Sequence, residues 1–539
     1  MATTSYAWVR ATDPFFMNNL VTSGRQEFAA IAGMEKGGYF SAWGVRSADF
    51  IQARMVRDNG APSGDEFGAT STTANDQQAP ALAALANGRV VMVFDDDSED
   101  PGGDIRARLF NRDGAPLGQD FAVTTGDNVD FFPDVAALAD GGFAVSWSRL
   151  FGDDDYDVRA AVFNADGSVR TPLVVVADDS ETIALGSSMA GLADGSFVVA
   201  WTEGPISGTS PAVRFQRYDA NGVALEATST LLFDEFPSSA VEVLALRDGG
   251  FAIAFGFSPP SGGGNIALSI YDADGSSRTA FLPVGPAAGG QSAPTLTQLS
   301  NGFIVAGFTL AGALHYQVFL PSGQSLGEGE LIAAGDLGAE IAALSGGLVA
   351  SVSESLVSDD GGSNSIRSQI DELVRTTTGD GTNETLDGDD LADHMLGGGG
   401  KDRLTGAGGK DSLEGGAGDD VLRGGLGRDL LIGGAGADRF AYADVSHSRP
   451  GAGADLVKGF EPGLDLIDVS GIDARAGTAG DQAFVFGTGA FSGEGQIRAV
   501  QSGADTIVRF NVSGPGGAEM EILLKNVDAG DIDAGDFVL

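Results

Sequence analysis

The sequence predicts an all-β protein: an N-terminal seven-bladed β-propeller, then a parallel β-roll of nonapeptide repeats, then a β-rich C-terminal cap. Two observations predict it. A unit of about fifty residues returns seven times between residues 29 and 375. From Gly379 to Ala441 the chain then divides into seven glycine-rich nines, each with a large apolar residue at its eighth position. The predicted domains are residues 1–375, 376–441 and 442–539.

The long unit is clearest at PDVAALADGGFAVSWS, from Pro133. It recurs from Ala29, Pro80, Ser187, Val241, Pro294 and Ala339. Six copies carry an aromatic at one equivalent position: Trp43, Phe94, Trp147, Trp201, Phe255 and Phe308. Each unit reads as four strands. An apolar run ends in a turn such as Asp140-Gly141-Gly142, where glycine supplies the positive φ of a tight hairpin. FAVSW comes next from Phe143, then DVRAAVF from Asp157, an Asn-Ala-Asp-Gly turn from Asn164, and PLVVV from Pro172. Four strands repeated seven times without linkers is the arithmetic of a propeller, with the aromatics filling the blade interfaces. A solenoid or several sandwiches are the alternatives. Residues 1–28 contain strand-like pieces such as YAWVRA from Tyr6, suited to pairing with the last blade.

Composition limits the function. Of 539 residues, 75 are acidic and 31 basic, a net charge of −44. So negative a chain is a poor partner for nucleic acid or an anionic membrane surface. There is no cysteine, which excludes disulfides, thiolate metal sites and a cysteine nucleophile. The N-terminus lacks the basic start and apolar core of a signal peptide, and no apolar run has the length of a membrane span. The propeller region has no serine elbow, no His-Glu-x-x-His and no metal-spaced histidine pair; His315, His394 and His447 are scattered and read as structural or surface residues. Its acidic loops, DDDSEDPGGD from Asp95 and FGDDDYD from Phe151, read as solvated, with calcium the alternative. Asp134, Glu242 and Glu340 share one position of first strands, which line the central channel of a propeller. They read as channel-lining polar groups, with acid–base work the alternative.

The nines follow Gly-Gly-x-Gly-x-Asp-x-U-x, where U is large and apolar. Those from Gly397, Gly415, Gly424 and Gly433 fit fully, and that from Gly406 departs only at Ala407. The nines from Gly379 and Gly388 are degenerate, with Glu384 and Asp393 at the sixth position. Leu386, Met395, Leu404, Leu413, Leu422, Leu431 and Phe440 fill the eighth. Six residues make a turn that needs glycine's backbone freedom, and three make a short strand whose apolar residue points inward. Stacked turns bring carbonyl oxygens and aspartates together, a cage for a hard cation with many oxygen ligands, which means Ca²⁺. Residues 379–441 hold 13 acidic and six basic side chains, so seven net negative charges would repel one another without it. A flexible glycine-rich linker predicts neither the fixed spacing nor the recurring leucine. Accidental Gly-x-Gly-x-x-Gly matches lack the strand–turn–helix setting of a nucleotide site.

These nonapeptides resemble those of the RTX family of secreted calcium-binding proteins. The adjoining segment GADLVKGFEPGLDLIDVSGIDA, from Gly453 to Ala474, is similar to the C-terminal domain of serralysin-type proteins, although Lys458-Gly459 replaces the usual acidic residue before the Phe. The end, Asp536-Phe537-Val538-Leu539, resembles the uncleaved signal of type I secretion. The likeness covers residues 379–539, about 30% of the chain. It implies several calcium ions held by Asp402, Asp411, Asp420, Asp429 and Asp438. Backbone oxygens of the first and third residues join them: Gly397 and Gly399, Gly406 and Gly408, Gly415 and Ala417, Gly424 and Leu426, Gly433 and Ala435. It also implies type I secretion machinery as a partner and an extracellular, surface-associated location for a protein of a Gram-negative bacterium. It does not bring the serralysin protease, whose His-Glu-x-x-His is missing. The expected role of the propeller is binding of an extracellular glycan or protein. An extracellular polysaccharide hydrolase or lyase with its site at the channel is the alternative, and a coat-forming component is the third reading.

Overall fold

Short apolar runs broken by Asp-Gly and Asn-Gly turns form antiparallel sheets, and the glycine-rich nines form parallel ones. The structure, a computed structural model, describes residues 2–12, 14–17, 26–34, 37–45, 50–71, 77–97, 103–126, 128–152, 155–178, 182–205, 212–231, 236–258, 264–286, 290–327, 329–334, 336–344, 347–355, 365–475, 477–487, 489–514 and 517–539. It divides into two compact units, residues 10–371 and residues 1–9 with 372–539. Among the described residues, helix is confined to 3-10 turns of three or four residues.

In residues 10–371 the fold is all-β and its sheets are arranged as in a propeller. One antiparallel meander runs Gln77–Ala84, Val90–Asp96, Asp104–Phe110, Phe121–Ala122. Others of the same order start at Gln26, Phe236 and Gln291. An eight-stranded sheet runs from Val129–Ala137 to Ser229–Leu231 and turns from antiparallel to parallel at one place, Tyr156 beside Ile183. Phe15 and Phe16 pair with Ser368 and Arg367; residues 18–25, within the stretch expected to reach the last blade, lie outside the described residues. The turn chemistry is as expected. Gly141 takes φ +89°, its N–H donates to the Leu138 carbonyl at 2.9 Å, and the Asp140 carboxylate accepts the Gly142 N–H at 2.9 Å.

The six repeated aromatics are all buried, none more than 1% exposed. Each shares an apolar cluster with residues of another repeat unit. Phe94 lies with Phe40 and Ile51, Trp147 with Val91 and Ile105, Trp201 with Val158 and Ala160. Phe255 lies with Val213 and Phe215, and Phe308 with Ile266 and Leu268. Trp43 lies with Val352, Ile366 and Ile370, near the other end of the unit's sequence. First strands carry a bulge that the sequence does not announce. Register shifts fall at Phe131/Asp134, Gln78/Ala81 and Ser292/Thr295, and Phe132, Ala79 and Ala293 there take φ between +48° and +51°.

In the second unit, the strands of the nines pair in parallel at a register of 18 residues, two nines per step. Arg403 lies beside Val421 and Val421 beside Arg439 in one sheet; His394 lies beside Ser412 and Ser412 beside Leu430 in the other. Alternate nines therefore feed alternate sheets. The eighth-position side chains, from Leu386 to Phe440, form one buried row. The C-terminal segment extends both sheets. Asp455–Lys458 and then Met520–Lys525 continue one, and Leu466–Asp468 and then Phe537–Val538 continue the other. The row of leucines runs on into Val457, Ile467, Ile522 and Phe537.

Ala407 stands where the other full nines have glycine, and it takes φ +79°, against +97° to +112° at Gly398, Gly416, Gly425 and Gly434. A left-handed alanine costs about 1–2 kcal/mol, less the entropy that glycine loses on folding. Ala407→Gly should therefore stabilise this unit by about 0.5–1 kcal/mol in calcium, read by chemical denaturation.

Candidate metal centre

The sixth-position carboxylates form two ladders. One holds Glu384, Asp402, Asp420, Asp438 and Asp465; the other holds Asp393, Asp411, Asp429 and Asp455. Each aspartate above the first rung accepts, through Oδ1, the backbone N–H of the rung one turn earlier. The Asp402 N–H reaches Asp420 at 2.8 Å, Asp411 reaches Asp429 at 3.0 Å and Asp420 reaches Asp438 at 3.0 Å. Asp429 reaches Asp455 at 3.0 Å and Asp438 reaches Asp465 at 2.9 Å. This bond fixes the carboxylate and leaves its other oxygen over. Oδ2 of Asp402, Asp411, Asp420, Asp429 and Asp438 is buried and accepts no hydrogen bond from the protein. These side chains are at most 2% exposed.

The first glycine of each nine shows what else faces that oxygen. A Cβ on Gly397 would stand 2.5 Å from the Gly415 carbonyl oxygen and 2.6 Å from Asp402 Oδ2. At Gly406 it would meet Asp411 Oδ2 and the Gly424 carbonyl, and at Gly415, Asp420 Oδ2 and the Gly433 carbonyl. Gly424 and Gly433 repeat the contact with Asp429 and Asp438 Oδ2. A carboxylate oxygen and a glycine carbonyl from the next turn thus converge on one small space, which only a residue without a side chain leaves free. Of the third residues, Ala417 and Ala435 already accept one N–H each, from Gly400 at 2.8 Å and Gly418 at 2.7 Å; a carbonyl has a second lone pair. The Leu426 side chain, 52% exposed, carries no oxygen, so only its backbone can take part.

The electrostatics ask for a cation. Burial and the neighbouring Asp429 push the Asp411 carboxyl up to about 9. Burial and the same Asp429 push Asp455 up to about 8. Burial pushes Asp429 and Asp438 up to about 6. Among the described residues no three His, Asp or Glu side chains converge on one point, so the donor set here is carbonyl-rich. Oxygen donors of this kind fit a large, hard cation with flexible geometry, and calcium is that ion.

Two ladder members escape a reading of the sequence by period. Asp455 lies 26 residues after Asp429 and Asp465 lies 27 after Asp438, so inserted loops break the period of 18. The signal that survives is local: Asp455-Leu456-Val457 and Asp465-Leu466-Ile467 keep the spacing of acid and inward apolar residue found in each nine.

Residues 378–413 and 405–440 match the RTX calcium-binding nonapeptide repeat, in four copies. These are RTX-type calcium-binding repeats. No curated protein matched the chain. Among solved structures, a protein of unknown function from Dyadobacter fermentans is 11% identical, with 68% of this chain and 99% of that one covered and a TM-score of 0.42. A puromycin hydrolase is 18% identical, with 62% and 50% covered and a TM-score of 0.41. The AlgE6R3 subunit of the Azotobacter vinelandii mannuronan C5-epimerase is 28% identical, with 29% and 78% covered and a TM-score of 0.20.

Beyond the RTX repeats, the equivalent position of the first strands also gathers acids. Asp134, Glu242 and Glu340 line a cavity of about 440 Å³, with Phe132 and Phe28 at its wall. Asp134 Oδ2 accepts the Met189 N–H at 2.7 Å. Burial pushes Asp134 up to about 6; burial and then Asp134 push Glu340 up to about 7. Burial, Glu340 and Asp134 together raise Glu242 well above the usual carboxylate range. The acidic loops differ. Asp96 pairs with Arg106 at 3.3 Å and Asp157 with Arg159 at 2.6 Å, while residues 98–102 and 153–154 lie outside the described residues. The histidines stay apart: His315 stacks on Phe308 at 5.4 Å, and His447 sits in a 3-10 turn.

Proposed function

We propose that this chain is a secreted calcium-binding protein whose C-terminal RTX β-roll and serralysin-like cap serve export and folding, and whose seven-bladed propeller binds an extracellular glycan or protein. The single observation that carries the calcium part is the run of buried carboxylate oxygens facing glycine carbonyls. Support for a closed ring of seven comes from Trp43, buried with Val352 and Ile366 of the last strands. Among the described residues no helix is long and apolar enough to cross a membrane. Type I export fits a chain without cysteine, because a chain threaded out unfolded has no use for disulfides, and scarce cytosolic calcium leaves the roll to fold outside. Extracellular modules bind calcium at about 10⁻⁴–10⁻³ M.

Export is tested by truncation. Deleting residues 480–539 removes Phe537–Val538 and the strand Met520–Lys525. In a host with a type I exporter the truncated chain should stay inside the cells while the full chain reaches the medium. Equal amounts in the medium would place the signal elsewhere.

The channel acids favour one second reading, a hydrolase or lyase acting on polysaccharide. A carboxyl held near neutrality can donate a proton, and a neighbouring carboxylate can receive one. The same shifts set a pH dependence. Folded Asp134 and Glu340 keep protons that the unfolded chain releases above about pH 4–5. Their contribution to stability is present at low pH and is lost as pH rises through 6 and 7. Between pH 5 and 8 the unit should lose roughly 2 kcal/mol from these groups, discounted for water in the channel. The double change Asp134→Asn with Glu340→Gln should flatten that slope in pH-dependent denaturation. Polysaccharide cleavage that vanishes in Glu340→Gln would establish the enzyme.

A further inference from the structure

The first rung of one ladder is built around an arginine. Asp393 occupies the sixth position of a nine, and its N–H donates to Asp411 Oδ1 at 2.9 Å like the others. Yet neither of its oxygens is left over. Oδ1 accepts from Arg375 Nε at 2.6 Å, and Oδ2 accepts from Arg375 Nη2 at 3.0 Å and the Asp389 N–H at 3.1 Å. Nη2 also donates to the Asp387 carbonyl at 3.0 Å, and Nη1 lies 3.4 Å from Asp389 Oδ2. Register explains how the arginine gets there. Arg375 is the strand partner of Asp393, 18 residues earlier, so it stands at the ladder position itself. Where Asp411 and Asp429 have an acid one turn before them, Asp393 has a guanidinium.

We propose that Arg375 is a built-in cation that fills the first rung of this ladder in place of calcium. A guanidinium delivers fixed positive charge to two carboxylate oxygens at once through two parallel N–H bonds, a geometry that a lysine ammonium would not reproduce. The Asp393 rung is then neutralised by the chain itself, and the calcium sites of this ladder begin at Asp411. The strand Ala392–Gly399 forms without metal and offers a folded edge on which the strand Ser412–Ala417 assembles when calcium arrives. That removes part of the nucleation cost of a parallel stack, whose first rung has no neighbour. In the other ladder the first member, Glu384, accepts the Asp380 N–H from its own turn at 3.0 Å.

The inference rests on the calcium reading of the later rungs, and one experiment separates the two. Hydrogen exchange of the full chain is followed in millimolar calcium and in chelator. In chelator, amides of residues 392–396 should exchange at least about tenfold more slowly than those of 412–417, and Arg375→Gln should abolish the difference. Equal exchange of the two segments in wild-type protein, or a difference that survives Arg375→Gln, overturns the proposal. If 412–417 is indifferent to calcium, the calcium reading fails, and the comparison of wild type with Arg375→Gln at 392–396 still decides the role of the arginine. As a second measurement, Arg375→Asp restores an acid at the rung. Equilibrium dialysis with calcium alone should then count one more bound ion than in wild type, and an equal count overturns the proposal.

Discussion

Trp147→Ala should destabilise the unit of residues 10–371 by about 3–5 kcal/mol, among the largest effects of any single core change in it. The indole is 1% exposed and belongs to a cluster that spans two sheets, with Val91 and Ile105 on one and Phe143 and Phe163 on the other. Truncation leaves a cavity between two backbones that their own hydrogen bonds hold apart, so collapse is limited. The polar part is smaller. The indole Nε1 donates to Asp130 Oδ1 at 3.1 Å, but Asp130 keeps its bidentate pair with Arg149 at 2.6 and 2.7 Å. Trp147→Phe, which fills most of the volume and loses only the N–H bond, should cost about 1–2 kcal/mol. Urea denaturation in calcium checks both. A cost under about 1 kcal/mol for the alanine variant would mean that the sheets slide together and that these aromatics do not set their spacing.

Such aromatics were legible because burial between sheets repeats at the same place in each unit. The hairpin turns were legible because Gly141 and its counterparts need a positive φ. The bulges of the first strands were not, since Phe132, Ala79 and Ala293 take left-handed angles that no residue preference announces. They are imposed by strand pairing on both sides of them. In the nines, period fixed both the buried leucines and the ladder aspartates. It failed where loops intervene, so Asp455 and Asp465 were missed although they hold the same bonds. Arg375 was missed for another reason: the sequence shows an arginine before the first nine, and only the register of 18 shows that it stands on a rung. The meeting of Asp134, Glu242 and Glu340 around one cavity was suggested by equivalent repeat positions, whereas their shared protonation arises from burial in a common space.

Calcium removal should unfold residues 379–441 and leave the main transition of residues 10–371 nearly unmoved. In residues 379–441 the second oxygens of Asp402, Asp411, Asp420, Asp429 and Asp438 have no protein donor, so keeping these carboxylates ionised takes a cation. In the other unit, described acids such as Asp96, Asp130 and Asp157 already have arginine partners. Binding confined to the folded form stabilises by about 2.7 kcal/mol per independent site at a hundredfold excess over the dissociation constant. Asp420→Ala should remove that amount for one site. It should cost a further ~1–3 kcal/mol, because the buried Asp402 N–H loses its acceptor at 2.8 Å. Asp411→Asn separates the two effects. It keeps an oxygen for the Asp393 N–H while deleting a charge that burial and Asp429 disfavour. In chelator this variant should therefore be more stable than wild type, and in millimolar calcium less stable. Limited proteolysis and circular dichroism, each with calcium and then with chelator, report both signs. Protease resistance of residues 379–441 that chelator leaves unchanged would sink the calcium reading. A loss of stability for Asp411→Asn in both conditions would show that the aspartate acts through its hydrogen bonds and packing rather than through its charge.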